Sequence, residues 1–231
     1  MENKQQNELG TKNISKLLFS MAIPAITAQI INLLYNMIDR IYIGHIPEIG
    51  ATALTAVGVT MPIIMVISAF AALVSMGGAP RSSIMMGKGD KDTAEKILGN
   101  CTTALGFISI ALTVIVLIFG DKMLMTFGAS ENTINYALDY LNIYAFGTLF
   151  VQLALGLNAF ITAQGFAKTS MITVLVGAIL NIILDPIFIF GFNMGVKGAA
   201  LATIISQGVS ALWVIKFLTG NKTLLKIKKR Y

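Results

Sequence analysis

Long apolar runs separated by short polar breaks dominate the chain, and within the runs polar residues are rare and isolated. Six runs stand out, at roughly 17–43, 54–78, 97–119, 133–156, 170–190 and 198–219. Each reaches the ~20 residues that a helix needs to cross a hydrocarbon core of about 30 Å. A buried helix in a soluble protein could account for one run but not for six. The pattern predicts an all-α integral membrane bundle of six transmembrane helices over 17–219. A polar N-terminal segment, 1–16, precedes it, and a basic segment, 220–231, follows as a tail or linker.

Composition agrees. Hydrophobic residues make up 55% of the chain and charged residues 12%, with a mean hydropathy of +0.77. A soluble domain carries about twice that charge. The first sixteen residues contain no apolar core of a signal peptide, so no cleaved leader is expected and the first run should stay in the membrane. If the N-terminus is cytoplasmic, only Arg40, Lys122 and Lys197 of the 17 basic residues fall outside. That asymmetry predicts both termini inside, in a plasma membrane. The net charge of +6 then needs no nucleic-acid partner, because KTLLKIKKRY can lie against anionic headgroups. The expected outer loops are 44–53, 120–132 and 191–197, and the inner ones 79–96 and 157–169. The longest, GGAPRSSIMMGKGDKDTAEK, should be a turn leading into the third run.

Enzyme chemistry finds little support. The single histidine, His45, falls in an outer loop, so no paired-histidine metal motif exists. GKGD at 87–90 lacks the spacing of a phosphate-binding loop, which leaves no visible ATP site and no cofactor to expect. Cys101 stands alone in the third run as a small packing residue, without a partner for a disulfide within the chain.

The chemistry lies in NIILDPIFIF, Asn181 to Phe190. Asn181 and Asp185 are four apart and share one helix face, with Gly177 and Thr173 below them. Pro186 has no N–H and should kink the helix, freeing the Ile182 carbonyl beside the carboxylate. The first run carries a matching stripe, Gln29, Asn32, Asn36 and Asp39. The sixth offers Ala199, Thr203, Ser206 and Ser210, whose small or hydroxylated side chains let helices approach and bond. At ~1.5 Å per residue, Asp185, Thr203 and Asp39 all lie about 6–8 Å below the outer ends of their runs, and Asn181 about 14 Å. Two readings stay open for Asp39, an interfacial ion pair with Arg40 or a buried acid. The amides and hydroxyls could also simply join helices. Asp185 is different: acids at such depth cost at least ~2.5 kcal/mol to insert and mark ion or proton pathways.

These residues also carry a resemblance. LYNMIDRIYIG, GGAPRSSIMMGKGDKDTAEKILGN, ITAQGFAK and NIILDPIFIFGFNMGVKGAALATIISQ, in that order and spanning nearly the whole chain, resemble the N-terminal half of a multidrug and toxic compound extrusion (MATE) transporter. The resemblance implies one six-helix lobe of a twelve-helix antiporter, exporting organic cations or other xenobiotics as Na⁺ or H⁺ moves inward. It implies a cation or proton site at Asp39, Asn181, Asp185 and Thr203, with Tyr140, Asn158 and Asn36 as further lining residues. It also implies a second lobe, absent from this chain, which would be a truncated product or one half of a split transporter. Two other functions remain, a lipid-linked oligosaccharide flippase of the wider superfamily and a non-transporting scaffold. The flippase should carry basic residues in its cavity, whereas the intramembrane ionisable residues here are acidic.

Overall fold

The computed structural model describes residues 13–228. Most of the predicted N-terminal segment and the last three residues of the tail lie outside that range. The described residues form seven α-helices: α1 (Ile14–Gly44), α2 (Gly50–Gly87), α3 (Lys91–Thr126), α4 (Ile134–Phe146), α5 (Thr148–Ala163), α6 (Ala167–Pro186) and α7 (Val196–Thr219). Five are long and apolar enough to cross a bilayer, and α4 with α5 supplies a sixth span bent by 58° at Gly147. A Cβ on Gly147 would collide with Ile204, so glycine lets α7 pass close to the break. The hydroxyl of Thr113 donates to the Ala145 carbonyl at 2.8 Å, satisfying an acceptor that the bend would strand.

The expected inner loop 79–96 is almost entirely helical. α2 runs on to Gly87, α3 begins at Lys91, and Gly89 turns the corner with φ +80°. The side chain of Asp90 caps α3, accepting from the Thr93 hydroxyl and from Thr93 N (3.0 Å), and these two bonds hold its carboxyl below the usual range. Hydropathy marked only the part of each helix that sits in hydrocarbon. At ~1.5 Å per residue a helix of this length reaches over 50 Å, well beyond a bilayer core. Its polar end stays helical because it has partners: Ser82 donates to the Ala94 carbonyl and Ser83 to that of Ala163. The loops 120–132 and 157–169 shorten in the same way, to 127–133 and 164–166.

α1 lies mainly along α6, α2 packs on α3 and α5, and α7 fits among α4, α5 and α6. Only Pro24, Asp39 and Ile43 of α1 are buried, so most of that helix faces outward from the lobe. Two apolar cores form. One gathers Ile43, Ala53, Leu124, Leu141, Ile189 and Val196, and the other Met86, Leu98, Phe160, Ile161 and Leu218.

The second core takes in the chain after α7. Leu224 and Leu225 are buried there, so the segment expected against headgroups turns back onto the bundle. Gln164, fully buried in the α5–α6 turn, accepts from Thr223 Oγ1 (2.8 Å), Leu224 N (2.9 Å) and Leu225 N (2.8 Å). Its own amide donates to the Phe160 carbonyl at 3.0 Å. Glu95 on α3 accepts from Lys226 N at 3.2 Å and pairs with Lys228. This end, which also carries Lys91 and Lys96, is the basic end of the lobe.

Candidate functional site

The face of α6 predicted from spacing is buried along its length. Thr173, Gly177, Asn181 and Asp185 all point into the bundle, with Asp185 fully enclosed. Opposite them α7 presents Thr203, Ser206 and Ser210. Gly177 brings the two helices together: a Cβ there would stand 2.5 Å from Ser210 Oγ. Ser210 in turn donates to the Thr173 carbonyl at 3.3 Å.

Four predicted residues meet above this contact. Asn181 Nδ2 donates to Asp185 Oδ1 at 3.2 Å and to Thr203 Oγ1 at 3.5 Å. Asp39, 8% exposed, enters from α1 with its carboxyl against that of Asp185. Tyr140 comes from α4, meets Thr203, and stacks on Tyr144 with ring centroids 6.3 Å apart.

The helix beyond Asp185 departs from the predicted simple kink. After Pro186 the chain widens into a π-helical turn, Ile187–Gly191, a form that often marks functional sites. The start of α7 crosses this turn so closely that a Cβ on Gly198 would lie 2.7 Å from the Phe188 carbonyl carbon.

Two predicted lining residues lie apart from the carboxyls. Asn36 is exposed and donates to the Asn32 carbonyl at 2.7 Å, and Gln29 of the same stripe is exposed as well. Asn158 lines a cavity next to the site, where its amide donates to the Ser170 carbonyl at 3.3 Å. Sequence reasoning missed Tyr35, which lines that cavity, and Tyr144, which backs Tyr140. The i, i+4 spacing of the two tyrosines on α4 was the available signal for the second.

The electrostatics are lopsided. Asp39 Oδ1, Asp185 Oδ2 and Asn181 Oδ1 are buried without a hydrogen-bond partner. No lysine or arginine is buried among the described residues; the nearest charge of opposite sign is that of half-buried Arg40, which acts on Asp39. Two facing carboxyls in an apolar bundle disfavour carrying both charges at once. Such a pair has the chemistry to share a proton or to hold a cation.

Residues 24–187 match the family model described as MatE. The multidrug export protein MepA of Staphylococcus haemolyticus (strain JCSC1435) is 32% identical over 225 residues, covering 97% of this chain and 49% of that protein. MepA of Staphylococcus aureus (strain NCTC 8325 / PS 47) is 28% identical over 229 residues, covering 98% and 50%. Among solved structures, MATE in the bent conformation superposes with a TM-score of 0.88 at 26% identity, over 99% of this chain and 50% of that one. A MOP superfamily transporter from Pyrococcus furiosus gives 0.89 at 27% identity, over 96% and 49%. The chain therefore spans about half the length of the curated relatives it matches.

Proposed function

We propose that this chain, which belongs to the MatE family, forms one six-helix lobe of a secondary active multidrug exporter. Export of an organic cation or another xenobiotic is driven by Na⁺ or H⁺ moving down its gradient into the cell. Asp39 and Asp185 bind the coupling cation or share the coupling proton. Asn181 orients the Asp185 carboxyl and Thr203 supplies a neutral oxygen. Tyr140 closes the site on the α4 side. The observation that carries the reading is the facing pair of buried acids with no buried basic residue beside them.

Loading the pair and emptying it change the charge between α1, α6 and α7. That is the means by which an ion gradient can bias how these helices pack. The basic end faces the cytoplasm, following the distribution of lysine and arginine. The MepA relatives are named as multidrug export proteins, which favours xenobiotic export over lipid flipping.

The test expresses the chain with and without a second-lobe partner in cells lacking their own exporters, and follows dye efflux under imposed Na⁺ and proton gradients. Gradient-dependent efflux in the paired cells that is lost on replacing Asp185 supports the reading. Efflux indifferent to both gradients would overturn it.

A further inference from the structure

On the outward side of the lobe, near its basic end, a groove runs between α2 and α3. Two consecutive glycines shape it. A Cβ on Gly78 would stand 2.4 Å from Cys101 Sγ and 2.8 Å from Phe160 Cζ, so here the bundle closes to form a floor. Gly77, beside it, is exposed, and a Cβ there would meet nothing within 4 Å, so the groove stays open above that floor. Across about 470 Å³, Arg81, Gly77 and Leu73 of α2 face Asn100 and Ile97 of α3.

The lining changes along the groove in the order of a phospholipid. The two helices turn at Gly89, and at ~1.5 Å per residue Arg81 lies about 12 Å from the turn, Asn100 about 16 Å and Leu73 about 24 Å. A guanidinium thus marks the polar end, an amide comes next, and apolar side chains lie deepest. Arg81 and Asn100 are both exposed, and among the described residues neither side chain has a hydrogen-bond or ion-pair partner. No acid lines the groove, and its other polar residue, Thr93, is committed to Asp90. Asn100 is the residue that calls for a ligand. It falls inside the third apolar run, where an exposed amide facing hydrocarbon costs free energy unless something bonds to it.

We propose that the groove binds one glycerophospholipid of the leaflet at the basic end. Its phosphodiester sits on Arg81, an ester carbonyl accepts from the Asn100 amide, and an acyl chain runs along Ile97, Val74 and Leu73. A guanidinium without an acid partner matches phosphate through its planar fork of donors. Its stem lies along the apolar wall while the charge reaches headgroup level. A surface merely wetted by fluid chains has use for neither polar group. The assignment is independent of the carboxyl pair, since neither Asp39 nor Asp185 lines the groove.

Cys101, the single cysteine of the chain, lines the groove and is half-buried, so its alkylation by N-ethylmaleimide reports occupancy. The purified full chain in an uncharged detergent is titrated with phosphatidylglycerol, with diacylglycerol of the same chains, or with glycerol phosphate. Phosphatidylglycerol should slow labelling with a defined midpoint, by about tenfold at roughly ten times that midpoint through mass action. The other two should leave the rate unchanged. Arg81→Gln should raise the midpoint about tenfold, the loss of one charge-assisted bond, and Asn100→Leu about fivefold, the loss of a neutral one. Equal protection by diacylglycerol would mean that the groove takes chains alone, and protection by glycerol phosphate that it takes an anion alone. Either result overturns the proposal, as does no protection by any of the three or a wild-type midpoint in Arg81→Gln. If Arg81→Gln fails to fold, Arg81→Lys keeps the charge without the fork and is expected to shift the midpoint in the same direction. An unshifted midpoint there overturns the site equally.

Discussion

At the basic end Gln164 makes four hydrogen bonds, three as acceptor and one as donor, and Glu95 is engaged by Lys226 N and Lys228. Between α1, α6 and α7, Asp39, Asn181 and Asp185 each keep one oxygen with no partner. Both clusters are buried and both join residues far apart in sequence, yet only the first is complete. A complete polar network fixes helices in one arrangement, because every alternative strands a buried donor or acceptor. An incomplete one is held at a cost that a ligand can relieve. The lobe thus joins a firm base to a seam whose buried polar atoms are not all satisfied within the fold. The local backbone follows the same division. The π-helical turn and the bent fourth span adjoin the incomplete cluster, while the clasp closes on short, ordinary turns.

The sharpest way to break this comparison is to neutralise the incomplete cluster. Asp185→Asn keeps the volume and the bond with Asn181 but removes the exchangeable charge. In an assembled two-lobe transporter it should abolish gradient-driven efflux while leaving expression unchanged. Unfolding free energy should stay the same or rise by about 1 kcal/mol, since an amide is less costly to bury than an acid without a counter-charge. Asp39→Asn should act in the same direction but more weakly, because Asp39 keeps 8% exposure whereas Asp185 has none. Wild-type efflux by Asp185→Asn at wild-type expression would remove the distinction between the two clusters.

Next comes the complete cluster. Gln164→Ala leaves Leu224 N and Leu225 N without their acceptor, whereas Thr223 retains the Leu225 carbonyl at 2.8 Å. Two buried amides without partners should cost about 3 kcal/mol. The loss would be read as a lower unfolding temperature, or as new protease cleavage within 221–228 if the tail releases before the bundle. An unchanged midpoint together with an intact tail would show that the clasp contributes nothing.

The two clusters differed in how far the sequence revealed them. Asn181 and Asp185 stand out because an acid inside an apolar run has no bland explanation, and helical spacing then places Thr173 and Gly177 on the same face. Asp39 and Thr203 followed from matching stripes and depths, and the structure brings them to the same place. Asn36 and Gln29 share a helical spacing with Asp39 but lie on the exposed side of α1, apart from the carboxyls. The clasp was not legible at all. Gln164 sits in an ordinary polar turn, and its role depends on residues about 60 positions away. Helix ends were under-read for a related reason. Hydropathy reports the solvent around a segment, and the polar turns of α2 and α3 are helical because of partners such as Ala94 and Ala163.

The smallest expected effect tests the sign of the comparison rather than its size. Glu95→Gln at the clasp is the same chemical change as Asp185→Asn, an acid replaced by its amide in a site almost closed to water, with Glu95 2% exposed. Here the acid already has its cation, because Lys228 reaches it with its own side chain still 48% exposed. The amide oxygen of the variant can keep the bond from Lys226 N, and Lys228 can turn back to solvent. The loss is therefore limited to about 1 kcal/mol, near the top of the range for ion pairs open to water on one side. Thermal unfolding of the two variants side by side should show Glu95→Gln falling where Asp185→Asn holds or rises. Opposite signs follow if one acid is compensated within the protein and the other waits for an ion. Destabilisation of both by the same amount would mean that Asp185 already has a compensating partner within the fold, and the contrast between the clusters would be lost.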